Sequence, residues 1–161
     1  EATEFVRSLI GTARERVWIV DPYFATAELF SFALATSRQS VAVVILTGAS
    51  TILTKEDSVD ATVEAGDLLL RNLHAQAVQA KIEIIVMTGE LPTVHDRFLV
   101  IDNAVWFTGN SLNQIGERAG MMISVPAPLE IIAKLGAIMQ DTQRTKPLDV
   151  WVAARKANRQ P

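Results

Sequence analysis

Apolar residues fall along this chain in two alternating rhythms. Residues 2–15 place Phe5, Val6, Leu9, Ile10 and Ala13 at three- and four-residue spacing, which predicts an amphipathic helix. Val17-Trp18-Ile19-Val20 is instead a continuous apolar run stopped by Asp21-Pro22, the pattern of a buried strand. The alternation then repeats. A helix is predicted at 25–36 with Leu29, Phe30, Ala33 and Leu34 inward, then a buried strand from Val41 to Leu46 and a polar loop from Thr47 to Thr51. The longest helix is predicted at 57–79. Val59, Val63, Gly66, Leu70, Leu73 and Ala77 form its inner stripe, and Asp57, Asp60, Glu64, Asp67 and Arg71 a solvated one. A strand at Ile82–Met87, a turn around Gly89 to Pro92, and adjacent strands at 94–101 and 104–109 follow. A strand near 121–125 and a helix from about 128 to 140 come last, with Pro126 and Pro128 marking the break between them.

Continuous apolar strands that alternate with helices predict an α/β fold, a mixed, mostly parallel sheet with helices on both faces. The hairpin at 94–109 makes the sheet mixed. With 161 residues, nearly half of them apolar, one domain spanning 1–161 is expected. The chain opens on Glu1 inside a helical pattern, so it is expected to be a piece of a longer protein with other domains. Its end carries Arg144, Lys146, Arg155, Lys156 and Arg159 against Asp149 and reads as a solvated basic tail.

Composition narrows the chemistry. The absence of cysteine excludes disulfides and thiolate catalysis. With only His74 and His95 besides, no metal and no cofactor is expected. There is no P-loop and no G-x-G-x-x-G. No apolar run approaches a membrane span and no secretory signal is visible, so a cytoplasmic location is expected. The net charge of -3 gives no general pull on a nucleic-acid backbone.

The informative segment runs from Val94 to Asn113. Alternation along a strand puts His95 and Arg97 on one face and Asp96 on the other. Asp102-Asn103 is a plausible two-residue hairpin turn, because both residue types tolerate positive φ. That turn pairs Ile101 with Ala104, Arg97 with Thr108 and His95 with Asn110. It gathers His95, Arg97, Ser111 and Asn113 at one sheet edge, with Gly109 allowing close backbone approach. An imidazole, a guanidinium, a hydroxyl and a carboxamide suit an anionic tetrahedral centre. Asp21 ends the first strand, where α/β sheets carry functional groups. It either orients His95 or simply forms the strand exit. Glu117 and Arg118 stand as rim candidates. Trp106, opposite Leu99, reads as core, and His74 as a helix-surface residue.

His95-x-Arg97-x4-Asp102, followed by Gly109-Asn110-Ser111-Leu112-Asn113, resembles the HxKx4D…GSxN signature of the phospholipase D superfamily, with arginine in the lysine position. Trp18-Ile19-Val20-Asp21-Pro22-Tyr23-Phe24 is similar to the strand that opens such domains. The resemblance implies a metal-independent phosphodiesterase, nuclease rather than lipase, that works through a phosphohistidine. His95 would be nucleophile or acid, Arg97 a phosphate clamp, Ser111 and Asn113 positioning donors, and Asp102 a supporting residue, which at a hairpin turn reads as structural rather than catalytic. The family uses two motifs and this chain has one, so a homodimer or another domain would complete the site. The alternative is a degenerate module that binds phosphate or nucleic acid, or dimerises, without turnover. An accidental match on an α/β scaffold is the third reading.

Overall fold

The computed structural model describes residues 1–52, 59–76, 81–89, 91–117 and 120–158. Helix α1 (Ala2–Gly11) leads into strand β1 (Arg16–Val20), and α2 (Thr26–Ser31) with a following 3-10 turn leads into β2 (Ala42–Gly48). The short α3 (Ala49–Ile52) and the long α4 (Val59–Gln76) precede β3 (Lys81–Met87). The hairpin β4 (Arg97–Ile101) and β5 (Ala104–Thr108) is joined by β6 (Met122–Ser124). Helix α5 (Pro128–Met139), β7 (Thr145–Pro147) and α6 (Leu148–Ala157) close the described chain.

These strands form one sheet in the order β6-β5-β4-β1-β2-β3-β7. Its centre is the parallel set β1, β2 and β3, as two helical crossovers demand. Successive residues point to opposite faces, which explains why the runs are apolar throughout. Ile19, Ile45 and Ile84 enter the larger core beneath α1, α2, α4 and α6; Val20, Leu46 and Ile85 enter the smaller one beneath α5. Each such side chain contributes about 1.5–3 kcal/mol on burial.

The mixed sheet with helices on both faces is as expected, but the parallel majority is not. Pairings of β1 with β4, β4 with β5, β5 with β6 and β3 with β7 are all antiparallel. Helix-strand alternation reveals only the crossovers. It is silent on which way strands join the two flanks. The hairpin register is the expected one, with Ile101 opposite Ala104 and Arg97 opposite Thr108. Strand β4 starts only at Arg97, however, so His95 lies ahead of the ladder instead of being paired with Asn110.

Several packing assignments change. Phe5 and Phe30 are exposed, and Phe32 occupies the core in place of Phe30, because the helix breaks into a 3-10 turn at Ala33–Ala35. Residues 47–51 are not a loop: β2 continues through Gly48, α3 begins at Ala49, and the buried Thr47 hydroxyl donates to the Phe24 carbonyl at 2.8 Å. Leu69 is the fully buried residue of α4 that the stripe omitted, and Asp67 pairs with Lys156 of α6 at 2.7 Å. Asp57 and Ala77 lie outside the described residues. The basic end is no loose tail. Leu148, Trp151 and Val152 of α6 are buried, with Asp149 in its first turn and Arg155 and Lys156 in its last, the arrangement that complements the helix dipole. Trp106 packs partly buried on the larger core, and His74 is exposed on α4.

Candidate functional site

One sheet edge collects the ends of β1, β2 and β5 and the start of β4. Because Val20 pairs with Phe98, the chain leaving β1 emerges beside Arg97, which itself faces Thr108. The residue at that exit is Asp21. It is only 1% exposed, and a buried carboxylate requires partners. It has them. The Ser111 hydroxyl donates to Oδ2 at 2.6 Å, and the Leu112 amide donates to the same oxygen at 2.7 Å. The Tyr23 amide donates to Oδ1 at 2.9 Å. The Arg97 Nε lies 4.0 Å from Oδ1, close enough for an ion pair but beyond a hydrogen bond.

Arg97 is held on three sides. Besides Asp21, its Nη1 donates a long bond of 3.4 Å to the Gly109 carbonyl, and its guanidinium lies 5.2 Å from the centre of the Tyr23 ring. The side chain is 20% exposed, and its Nε is buried without a hydrogen-bond partner. A cation over a tyrosine face contributes about 0.5–2 kcal/mol, more as water is excluded. The guanidinium is therefore fixed as a fork at the surface, its inward side neutralised by Asp21.

The expected cluster thus divides. Asp21, Arg97, Gly109 and Ser111 meet through contacts of 2.6–4.0 Å. His95 is exposed immediately before β4, and Asn113 is exposed on the 3-10 turn Leu112–Gln114 that Ser111 begins. Both stand at this edge by connectivity, free to meet a ligand from solvent. Glu117 is exposed beyond that turn, and Arg118 lies outside the described residues. Among the described residues, no cluster of acidic and histidine side chains could hold a metal ion.

The structure decides the roles of the two aspartates. Asp21 does not orient His95. Its oxygens are taken by Ser111, Leu112, Tyr23 and Arg97, and no hydrogen bond joins it to the imidazole. Asp102 does not support the site. It turns the hairpin at φ 52°, at the opposite end of β4 from Arg97. Its carboxylate accepts the backbone amides of Arg14, Glu15 and Arg16 at 2.9–3.2 Å, tying the hairpin to the start of β1. Burial pushes the Asp102 carboxyl up, but the amides of Glu15, Arg16 and Arg14, with the Arg14 charge, outweigh it and hold the carboxyl below its ordinary value.

Tyr23 is the site residue that sequence reasoning missed. In the sequence it is only one residue of the run leaving β1. The available signal was its position two residues after Asp21, the spacing at which an aspartate accepts the backbone amide of a tight turn.

Comparison with known proteins follows this geometry. A family model described as the cardiolipin synthase, phospholipase D-like domain, matches residues 6–116. No curated protein sequence matches the chain. Among solved structures, Nuc from Salmonella typhimurium, a phospholipase D family member, superposes with a TM-score of 0.58 at 16% identity, covering 91% of this chain and 90% of that one. NucT from Helicobacter pylori gives 0.54 at 14% identity, over 88% of this chain and 87% of its own. Phosphatidylserine synthase from Haemophilus influenzae gives 0.60 at 20% identity, covering 88% of this chain but 35% of the synthase. TrmBL2, an archaeal DNA-binding chromatin protein, gives 0.50 at 15% identity over 87% of this chain and 47% of its own length. Identities this low speak for the fold alone.

Proposed function

The chain belongs to the phospholipase D superfamily, and we propose that it supplies half of a metal-independent phosphodiesterase site that acts on nucleic acid. The observation that carries this is the fixed Arg97 fork at the mouth of the Asp21–Ser111 network, with the exposed His95 two residues before it. A phosphodiester anion placed there meets an arginine whose geometry matches its oxygens. His95 attacks phosphorus and displaces one alkoxide, forming a phosphohistidine. A second His95, from a second copy of the chain, protonates that alkoxide and then takes a proton from the water that releases the phosphate. Asn113 and His95 reach the substrate directly, whereas Ser111, turned onto Asp21, shapes the loop that presents them. Structural likeness to Nuc, a phospholipase D family member, and to NucT supports the phosphodiesterase reading, and likeness to the DNA-binding TrmBL2 supports nucleic acid as the ligand.

A second reading has its own observation. Asp21 already occupies the Ser111 hydroxyl and the inner side of Arg97, so fewer donors remain for a transition state than for simple anion binding. A binding module of this kind fits the likeness to TrmBL2. Incubation with single-stranded DNA, RNA and bis(p-nitrophenyl) phosphate in EDTA separates the two. The hydrolase predicts cleavage that disappears in His95→Ala. The binding module predicts a complex that weakens in Arg97→Ala, with no product from any substrate.

A further inference from the structure

The Asp21-Pro22-Tyr23 turn does more than leave the strand. Tyr23 keeps 39% of its surface in solvent although it sits against a buried network. Its backbone is pinned by the Asp21 carboxylate at 2.9 Å and its ring by the Arg97 guanidinium at 5.2 Å. An aromatic side chain held at both ends and left half-exposed is pre-ordered, so a ligand that uses it loses little side-chain entropy. The residue that holds the ring is also the proposed phosphate-binding residue. A phosphate on Arg97 therefore arrives with its neighbouring nucleotide beside Tyr23.

We infer that Tyr23 is a base-stacking platform and that the substrate class is a single-stranded nucleic acid; this deepens the phosphodiesterase reading and rests on it. Charge supports the choice of strand. Duplex binding draws most of its affinity from many phosphate contacts and released counterions, and a chain with net charge -3 is poorly furnished for that. Stacking on an aromatic ring needs no basic groove, but it needs a base whose face is open. Inside a duplex both faces of a base are covered by the neighbouring pairs of the stack. The site thus selects an unpaired nucleotide through one phosphate and one ring.

Fluorescence anisotropy in EDTA provides the test, using oligodeoxythymidylate, its duplex with oligodeoxyadenylate, and an abasic strand of equal length. The wild-type chain should bind the single strand more tightly than the duplex or the abasic strand. Tyr23→Ala should weaken the single strand about tenfold and the abasic strand much less, with an unchanged circular-dichroism spectrum and urea midpoint showing that the variant is folded. Tyr23→Trp and Tyr23→Phe should retain binding. Equal loss on both strands would mean that Tyr23 only positions Arg97 and overturns the platform, as would equal affinity for the duplex. Binding of phosphatidylglycerol vesicles in place of any oligonucleotide would overturn it as well. Base-dependent binding without product refutes turnover and leaves the platform standing, while cleavage that ignores the base refutes the platform alone.

Discussion

Asp21 holds four groups at once: the Ser111 hydroxyl, the amides of Leu112 and Tyr23, and the Arg97 guanidinium. Its removal leaves two buried donors and one part-buried donor unpaired, and a mostly buried cation without its counter-charge. Asp21→Ala should therefore lower stability by about 3 kcal/mol, seen as a lower urea midpoint at unchanged slope. A loss below about 1 kcal/mol would mean that water replaces the carboxylate and the network is loose. Asp102 makes a different prediction. Its carboxyl is held below the ordinary value, by amide donors that outweigh burial. A depressed folded value adds stability that is complete above the unfolded value, near 3.9, and fades as pH falls through the folded one. Asp102→Asn tolerates the φ of 52° but carries no charge. The variant should lose stability at neutral pH and show a flatter decline than the parent as pH falls below the unfolded carboxyl value, near 3.9. Parallel acid profiles would show that the charge contributes nothing. The sequence motif names Asp102 and strand position singles out Asp21, but neither signal ranks them, because rank depends on which one ends up beside Arg97.

The site elements are positioned by how closely β1 and β2 finish together. Gly48 donates its amide to the Pro22 carbonyl at 3.1 Å, and a β-carbon on Gly48 would stand 2.9 Å from that same oxygen. Backbone must move to admit it, and the backbone that moves carries Asp21 and Tyr23. Gly48→Ala should destabilise the chain by about 1–3 kcal/mol and weaken phosphodiester binding in anisotropy, although residue 48 touches no ligand. Wild-type binding after that substitution would show that the turn is not held from this side. Periodicity made the β1, β2 and β3 strands and the 94–109 hairpin legible, since their apolar runs and turn residues are local signals. It misplaced Phe5 and Phe30, because a helical stripe in a short helix is only a few residues wide and a 3-10 break shifts its phase. It missed α6, where five basic residues at the chain's end outweighed the buried Leu148, Trp151 and Val152.

At the scale of the whole molecule, the sheet order explains why the motif alone implied a site but not its architecture. Arg97 and Ser111 are close in sequence, so the hairpin joins them by local rules. Asp21 lies 90 residues from Ser111 along the chain and comes into place only because β4 inserts antiparallel beside β1. No spacing in the sequence encodes that insertion. The same order leaves His95 at an open edge with no second imidazole in this chain's own site, since the other histidine, His74, is exposed on α4. If the proposed hydrolase draws its second imidazole from a second copy of the chain, that requirement has a quantitative signature. When wild-type chain is mixed with an excess of His95→Ala chain and allowed to exchange, sites with two imidazoles become rare as the square of the wild-type fraction. Cleavage in EDTA should fall along that square. A linear fall would mean that each chain holds a complete site of its own, and the half-site reading would then have to be abandoned even though cleavage itself was real.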